Sequence, residues 1–232
     1  RALSILSYIV PQLILSVSKR ANKIYINKGY NKKIFKFIPN GYDLNFLKID
    51  KFQKIKFKKK IKIKNKIPLI GTVARYDPQK DHLNLLNSLS LIRLKKIKFS
   101  CILVGSNMNR NNTQLSYEIK KLKLTKHVKL LGRNDNILQV MNGLDIFIQS
   151  SSYGEGFPNV VAEAMALKTP CVVTNVGDSS YIVGKTGWVV PPNNSIKLAK
   201  GIQKALKEIK TKNWNKKCNE ARARIKDKFS IS

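Results

Sequence analysis

The chain has 232 residues, of which 43% are hydrophobic and 8% aromatic, so it can bury a globular core and is not intrinsically disordered. Its 45 Lys and Arg residues against 13 Asp and Glu residues give a formal net charge of +32 at pH 7. The three cysteines are far apart and odd in number, and no Cys/His cluster has metal-ligand spacing, which argues against a disulfide framework and predicts no metal site. These features favour a reducing, cytoplasmic location.

The positive charge has three explanations that the sequence leaves open. Nearly all of the excess is Lys, scattered through the chain among many Ile and Asn residues, and codon bias in an AT-rich genome produces that pattern. Attraction to the anionic inner face of a cell membrane is the second explanation. Binding to a nucleic acid is the third, and the scatter of the charge favours it least.

The amino-terminal segment is predicted to belong to a different unit from the rest of the chain. Residues Ala2–Ser18 carry no charge, but they include Pro11, Gln12 and four serines and are marginal for a membrane span. After them comes the helix-like stretch ANKIYINKGY. We assign residues 1–34 to the tail of an amino-terminal domain, and because Arg1 reads as the middle of a helix we expect the chain to be a fragment.

A break in composition follows at KFQKIKFKKKIKIKNK (Lys51–Lys66). The alternation of Lys with Ile and Phe predicts a surface hairpin or linker. Residues 35–66 are therefore assigned to an interdomain crossing with a basic linker. Residues 67–212 form the predicted main domain, and residues 213–232 a truncated carboxyl-terminal helix.

Apolar runs of strand length alternate with segments of helical period along the chain. The predicted strands are Leu13–Val17, Phe35–Pro39, Pro68–Ala74, Phe99–Gly105, Val128–Gly132, Leu144–Gln149, Pro170–Thr174 and Trp188–Val190. The predicted helices are His82–Leu94, Gln114–Leu124, Ile137–Asn142, Val160–Leu167, Ser195–Ile209 and Trp214–Phe229. Strands buried on both faces read as continuous apolar runs, and their alternation with helices implies right-handed crossovers. The sequence therefore predicts an α/β fold, a doubly wound parallel-sheet Rossmann-like domain with ligand sites beyond the carboxyl ends of the strands.

The segment GTVARYDPQKDH (Gly71–His82) follows a predicted strand and opens a helix. Asp77, before Pro78, is predicted to cap that turn, with Arg75 and Lys80 on either side. A guanidinium and an ammonium group beside a helix start suit a diphosphate. The alternative is two ordinary cations in a basic protein, although Arg is scarce here while Lys fills most surface positions.

The segment LLGRNDN (Leu130–Asn136) is again a strand followed by a loop. A turn at Gly132, Arg133 and Asn134 could bring backbone groups to a nucleobase edge, with the Arg133 side chain available to stack. The pattern does not by itself establish such a site.

The stretch YGEGFPNVVAEAMA (Tyr153–Ala166) passes from a loop of small residues into a helix, with Pro158 predicted at its first position. The free N–H groups at the start of that helix would face the strand ends, where an anion or a sugar hydroxyl could bind. Glu155 and Glu163 could each accept hydrogen bonds from vicinal hydroxyls of a sugar or ribose. The spacing alone leaves open that both acids only stabilise a helix start.

Three other polar residues are interpreted as structural. His82 and His127 stand at the starts of elements and are predicted to be capping or surface residues, and Asp178 is predicted to cap the short segment Ser179–Val183. No Ser-His-Asp order, no phosphate-binding Walker loop and no G-x-G-x-x-G motif occurs in the sequence. Cys101 and Cys171 lie in apolar runs and are predicted to be buried free thiols.

Taken in order, these segments resemble the carboxyl-terminal half of the GT4-type retaining glycosyltransferases, which have the GT-B fold. VSKRANKIYINKGYNKKIFKFIPNGYD resembles the crossing between the two domains of that family, and VARYDPQKDH its diphosphate element. EGFPNVVAE resembles its E-x7-E motif, and TGWVVPPNN its late strand and turn. The resemblance covers most of the chain. The form GDSSY (Gly177–Tyr181), where many members have Gly-Gly-x-x-Glu, is similar to the subset that makes bacterial cell-surface polysaccharides.

The resemblance implies a nucleotide diphosphate sugar as donor, a glycan or lipid-linked acceptor, retention at the anomeric carbon, and no metal or other cofactor. It implies that Arg75 and Lys80 bind the donor diphosphate. Glu155 would contact the donor sugar as the catalytic residue, and Glu163 would hold the ribose hydroxyls. The backbone cradle for sugar and phosphate would consist of Gly156, Phe157, Pro158, Asn159 and Val160. The base would be lined by Gly132, Arg133 and Asn134.

Two other functions stay open at this point. One is a nucleotide-sugar-binding module without transfer activity, because the family's amino-terminal acceptor domain is nearly absent from the sequence. The other is a basic nucleic-acid-binding protein, although the resemblance implies no nucleic-acid partner. Saturable binding of a nucleoside diphosphate at moderate salt would separate the sugar-nucleotide functions from the nucleic-acid function.

Overall fold

The computed structural model describes residues 2–231, so the prediction that Arg1 lies in the middle of a helix falls outside the described residues. The helices are α1 (Ala2–Leu6), α2 (Lys19–Asn27), α3 (Lys51–Lys60), α4 (His82–Leu94), α5 (Thr113–Lys121), α6 (Ile137–Gly143), α7 (Asn159–Ala166), α8 (Ser179–Val183), α9 (Ser195–Glu208) and α10 (Trp214–Phe229). The strands are β1 (Ile14–Ser16), β2 (Phe35–Phe37), β3 (Leu69–Val73), β4 (Ser100–Val104), β5 (Val128–Gly132), β6 (Ile146–Gln149), β7 (Cys171–Thr174) and β8 (Trp188–Val190). Short 3-10 turns lie at Lys32–Ile34 and Pro78–Lys80.

Six parallel strands form the main sheet in the order β5-β4-β3-β6-β7-β8. Every residue of β3, β4, β6 and β7 is buried, which is why these strands read as continuous apolar runs. One hydrophobic cluster packs helices α3, α6, α7, α8 and α10 on one face, and a second packs α4, α5 and α9 on the other. The predicted doubly wound α/β fold is confirmed.

The chain before residue 40 forms a small sheet of its own, in which β1 pairs with β2 in parallel. The helix-like stretch after β1 is α2, as the sequence predicted. The predicted domain boundaries stay a prediction. Within residues 2–231, none of the helices has both the length and the apolarity needed to cross a bilayer.

The prediction of a hairpin or linker at Lys51–Lys66 is wrong, because its first ten residues form α3. Asp50 caps this helix by accepting hydrogen bonds from the N–H groups of Phe52 and Gln53 at 2.8 and 3.1 Å. The Phe57 ring is buried against Gly143 of α6, so close that a Cβ atom there would lie 2.2 Å from the ring. Only a few side chains of this Lys-rich helix are buried. The sequence therefore lacks the helical spacing of apolar residues and shows an alternation that resembles a strand.

Candidate functional site

The loops that the sequence singled out meet at the carboxyl end of the main sheet. The strand order reverses at β3, which is followed along the chain by β4 on one side and flanked by β6 on the other. In open α/β sheets, a crevice forms outside the strand ends at such a switch point. The loops after β3, β5 and β6 all reach this crevice.

An open cleft of about 500 Å³ lies between these loops. Its lining includes Arg75 from the loop after β3, Arg133 and Asn134 from the loop after β5, and Val160 from the first turn of α7. The structure therefore brings together side chains that the sequence assigned to a diphosphate, a base and a helix start.

A smaller recess of about 20 Å³ adjoins the cleft, since Val160 lines both. Inside it, Lys80 Nζ lies 2.6 Å from Glu155 Oε1, and the hydroxyl of Ser151 donates to the same oxygen at 2.6 Å. The Glu155 side chain is only 8% exposed and that of Lys80 20%, so this is a largely desolvated ion pair. Ser151 was not singled out from the sequence, because one serine in a loop of small residues carries no signal.

The turn at Pro78–Lys80 positions the two cations. Asp77 caps this turn through the N–H of Gln79, as predicted, and also accepts a hydrogen bond from Arg75 Nε at 2.9 Å. The hydrogen bond from Arg75 and then that from Gln79 hold the pKa of Asp77 below its usual value. Ser150 fixes the end of the turn by donating to the Lys80 carbonyl at 2.8 Å.

His82 supports the same turn from beneath, and the prediction that it is a capping or surface residue is wrong. It opens α4 as expected, but the residue is only 3% exposed, its ring stacks on Tyr76, and Nε2 lies 3.0 Å from the Arg75 carbonyl oxygen. Burial lowers the pKa of His82, so its neutral form is favoured. His127 is half-buried and stacks on Phe99.

The loop that carries Glu155 is held by the loop after β7. Gly177 has a φ of 56°, and a Cβ atom there would lie 2.4 Å from the Glu155 carbonyl oxygen, so the position requires glycine. The next residue, Asp178, donates its N–H to the Gly156 carbonyl at 2.8 Å. These contacts fix the backbone around Glu155 and leave its carboxylate in the recess.

Asp178 does not cap Ser179–Val183, so that prediction is wrong. It stands at the helix start, but its carboxylate accepts hydrogen bonds from the N–H groups of Lys19 and Arg20 at 2.7 and 3.0 Å. The side chain therefore caps α2, more than 150 residues away in the sequence. It joins the loop behind Glu155 to the amino-terminal segment.

The amino end of α7 is open towards the cleft. Pro158 stands before the first helical residue and offers no side-chain cap. Among residues 2–231, the N–H groups of Asn159 and Val160 donate no hydrogen bond. Phe157 is buried against Tyr42 and Phe229, so only its backbone is available to a ligand. Uncapped N–H groups at a helix start form a binding site for anions and hydroxyls.

Glu163 lies one turn beyond Val160 on the same side of α7, and it is not among the residues that line the cleft. Its side chain is half-buried, and burial raises the pKa of the carboxyl group. Among the described residues, none donates a hydrogen bond to this carboxylate. A partly desolvated carboxylate of this kind is suited to accept hydrogen bonds from hydroxyl groups.

Gly132 has a φ of 67°, and its own backbone groups are already paired. Its N–H donates to the Met108 carbonyl, and its carbonyl accepts from Gly105, both at 2.8 Å. This leaves Arg133 and Asn134 as the groups of the turn that can meet a ligand. Within residues 2–231, no three His, Cys, Asp or Glu side chains cluster as a metal site would require. Cys101 and Cys171 are buried free thiols, as predicted.

A family model described as "Glycosyl transferases group 1" matches residues 53–224, well over half of the chain. The capsular polysaccharide biosynthesis glycosyltransferase CapM of Staphylococcus aureus is 27% identical over 164 residues, covering 70% of this chain and 42% of CapM. The UDP-Gal:alpha-D-GlcNAc-diphosphoundecaprenol alpha-1,3-galactosyltransferase of Escherichia coli is 28% identical over 153 residues, covering 63% of this chain and 38% of that enzyme.

The crystal structure of Anabaena Alr3699/HepE in complex with UDP superposes with a TM-score of 0.89 at 24% identity. The superposition covers 98% of this chain and 62% of HepE, and at this identity it shows a shared fold. The chain spans well under half of the length of the curated relatives it matches.

Proposed function

The chain belongs to the glycosyl transferases group 1 family, and from this premise we propose that it binds a nucleotide diphosphate sugar for transfer of the sugar with retention. The observation that carries the proposal is the convergence of Arg75, Lys80, Glu155 and the open end of α7 on one crevice. Arg75 and Lys80 come from the loop after β3, and Glu155 and α7 follow β6. Together they offer cations and N–H groups for a diphosphate and a carboxylate for a sugar.

In this proposal the diphosphate binds between Arg75, Lys80 and the free N–H groups of α7. Both cations are paired with carboxylates in the free protein, Lys80 with Glu155 and Arg75 with Asp77. A donor diphosphate would replace these partners. Glu155 would then be free to accept hydrogen bonds from the hydroxyls of the donor sugar, close to the bond that breaks.

When the sugar leaves, negative charge grows on the departing diphosphate. Two cations and a helix start beside the diphosphate would stabilise that charge once the donor has bound, and stabilisation of this electrostatic kind is the largest contribution in many group transfers. We propose on this ground that the reaction needs no metal ion. Glu163 would hold the ribose hydroxyls, and Arg133 and Asn134 would contact the base.

For the acceptor we propose a glycan or a lipid-linked saccharide of bacterial cell-surface polysaccharide synthesis, and for the donor a hexose. The proposal draws on two relatives, one named for capsular polysaccharide biosynthesis and one for galactosyl transfer to GlcNAc-diphosphoundecaprenol. A cytoplasmic place at the inner face of the membrane suits such an acceptor.

The test is calorimetric titration of the 232-residue chain with uridine, guanosine, adenosine and thymidine diphosphates at 0.1 and 0.4 M salt. We expect saturable binding of at least one nucleotide that survives the higher salt, because ribose and base contacts are not screened. Binding to duplex DNA should fall steeply over the same range. Sequence-selective DNA binding without affinity for any of these nucleotides would overturn the proposal.

A further inference from the structure

Gln149, the last residue of β6, carries a buried carboxamide that shares the small recess with the ion pair of Lys80 and Glu155. The residue is 5% exposed and lines the recess together with both charged residues. Among residues 2–231, nothing accepts a hydrogen bond from its Nε2 group, although this nitrogen is shielded from solvent. Buried amide groups are nearly always paired, because an unpaired donor loses the hydrogen bond that it makes in water. This nitrogen therefore requires an acceptor that the described residues do not supply.

The oxygen end of the same carboxamide is fixed. The hydroxyl of Ser179, a fully buried residue, donates to Gln149 Oε1 at 2.6 Å. Ser179 is not among the residues that line the recess, so the nitrogen is the end of the planar carboxamide that faces it. The side chain cannot turn this nitrogen elsewhere without losing the contact with Ser179.

Glu155 has unused capacity to accept hydrogen bonds in the same recess. Lys80 Nζ and the hydroxyl of Ser151 both meet its Oε1 atom, each at 2.6 Å. Within the part of the chain that the structure describes, no donor meets Oε2, and a carboxylate can accept hydrogen bonds at both oxygens. The recess therefore offers a donor on Gln149 and an acceptor on Glu155.

The size of the recess decides what can bind between these two groups. Its volume is about 20 Å³. A water molecule needs roughly 10–15 Å³ in this measure, whereas a phosphate group or a sugar ring is far larger. A single hydroxyl oxygen fits, and a hydroxyl both accepts and donates hydrogen bonds. Most of the remaining wall is apolar, so Gln149 and the ion pair are the main polar partners that such a group would meet.

We propose that this recess binds one hydroxyl oxygen, which accepts a hydrogen bond from Gln149 Nε2 and donates one to Glu155. In the free protein the oxygen is that of a water molecule, and in the complex a hydroxyl of the donor sugar replaces it. Val160 lines both the recess and the open cleft, so the two are adjacent at the start of α7. The water site stands without the proposed function, and only the replacement by a sugar hydroxyl rests on it.

The replacement makes Gln149 a specificity-determining residue for the donor sugar. A sugar that lacks this hydroxyl would leave the buried amide of Gln149 unpaired, and sites built around a hydrogen bond discriminate strongly against such ligands. Glu155 alone does not give this selection, because a carboxylate near the open cleft can accept hydrogen bonds from several hydroxyls.

The first experiment uses the parent chain without a ligand. Magnetisation transfer from water to the side-chain amide protons of Gln149 is measured by NMR. The amide of Gln203, which is half-buried on α9, is the internal control. We expect a long-lived water at Gln149 and only rapidly exchanging water at Gln203. Absence of a long-lived water at Gln149 would overturn the proposal.

The second experiment compares the parent chain with Gln149→Met and with the matched control Gln203→Met. Each is titrated with the four nucleoside diphosphates named above and with their glucose esters. Gln149→Met should bind the bare diphosphates like the parent and a glucose ester about three- to tenfold more weakly, the effect of one hydrogen bond. Gln203→Met should bind all of these ligands like the parent.

Monodeoxyglucose derivatives of the same nucleotide identify the hydroxyl. For one of them, the parent and Gln149→Met should bind equally, because the hydroxyl that Gln149 holds is absent. Equal losses for every derivative, or a long-lived water that stays at Gln149 when the glucose ester is bound, would refute the replacement by a sugar hydroxyl.

These outcomes are distinct from failure of the proposed function. A parent chain that binds none of the nucleotides would refute the proposed function, while the water measurement would still decide the site at Gln149. Thermal melting shows whether Gln149→Met is folded, and if it is not, the measurements of water on the parent chain with and without a glucose ester decide both parts of the proposal.

Discussion

Glu155 lies in the loop before α7 and Glu163 lies within α7. Their surroundings differ in charge and in hydrogen-bond donors. Glu155 is paired with Lys80 and accepts a hydrogen bond from Ser151, so its charge is compensated. Glu163 has no hydrogen-bond donor among the described residues, and burial raises its pKa. Replacement of the two acids should therefore have different consequences.

Glu155→Ala is expected to bind a bare nucleoside diphosphate at least as tightly as the parent, because Lys80 loses a competing carboxylate. Binding of the nucleotide sugar should weaken by roughly 1–3 kcal/mol, as for a lost hydrogen bond to a charged group. Calorimetric titration with both ligands checks this. Weaker binding of the bare nucleotide would show that Glu155 serves the diphosphate side and not the sugar.

Glu163→Ala should weaken the nucleoside diphosphate and the nucleotide sugar equally, by roughly 1–3 kcal/mol, since both carry the ribose. Arg75→Ala and Lys80→Ala should instead harm diphosphate binding most and nucleoside binding least. The same titrations, extended to the free nucleoside, distinguish a ribose-binding role of Glu163 from a diphosphate-binding role of Arg75 and Lys80. If both glutamate variants bound every ligand like the parent and only melted earlier, these acids would serve the helix start alone.

The raised pKa of Glu163 also predicts a pH dependence of stability. Its folded pKa lies above the unfolded value, so the ionised form destabilises the folded protein at neutral pH, and protonation relieves this as pH falls through the folded pKa. Glu163→Gln should therefore melt at a higher temperature than the parent at pH 7, and the difference should shrink below the folded pKa. A difference that is constant across pH 4 to 8, measured by thermal melting, would contradict this assignment.

At the scale of elements, α3 is joined to the main sheet by a partly buried ion network. Lys58 Nζ and Lys54 Nζ lie 2.7 and 2.8 Å from the two carboxylate oxygens of Asp145, which precedes β6. The same carboxylate accepts the N–H of Leu69 at the start of β3. Burial alone would raise the pKa of Asp145, but the charges of Lys54 and Lys58 outweigh it and lower the pKa.

Lys58→Met should destabilise the chain by roughly 1–3 kcal/mol, the cost of removing one partner of a buried charged group, because Lys54 and the Leu69 N–H still compensate Asp145. Lys56→Met, at an exposed position of the same helix, is the matched control and should cost little. Denaturant unfolding at pH 7 measures both. The loss in Lys58→Met should diminish as pH falls through the folded pKa of Asp145, because a neutral carboxyl needs no cation. A Lys58→Met variant as stable as the control would show that the network contributes nothing net.

At the scale of the whole molecule, the contacts of individual residues do not explain the net charge of +32. The exposed face of α3 carries Lys56, Lys59 and Lys60, and cations near an anionic bilayer contribute roughly 1 kcal/mol each to binding. We expect the chain to sediment with vesicles that contain anionic lipid, and to be released by salt.

Two triple variants that remove the same charge test whether the membrane binds one particular face of the protein. Lys56→Ser/Lys59→Ser/Lys60→Ser on α3 should weaken sedimentation more than Lys200→Ser/Lys204→Ser/Lys207→Ser on α9, which removes the same charge from another exposed face. Equal effects would indicate a diffuse attraction, and indifference to lipid charge would leave codon bias as the explanation.

The sequence by itself determined the fold class, and it singled out the loops that meet at the candidate site. Continuous apolar runs report burial on both faces, so the parallel sheet could be predicted, and the carboxyl ends of parallel strands must meet at one edge. The prediction that Arg75, Lys80 and Glu155 belong to one crevice follows from these two facts. Because arginine is scarce in this lysine-rich chain, Arg75 stood out as a candidate ligand-binding residue.

Only the tertiary structure decided which distant groups become partners. Three contacts show this, and each joins residues more than 80 positions apart in the sequence. Phe57 of α3 packs on Gly143, and Asp178 caps the start of α2. The hydroxyl of Tyr42 donates a hydrogen bond to Asn159. Local patterns report the propensity and burial of their own segment. They contain no information about the side chain that another segment brings within 3 Å, because that approach depends on how all the helices pack against the sheet.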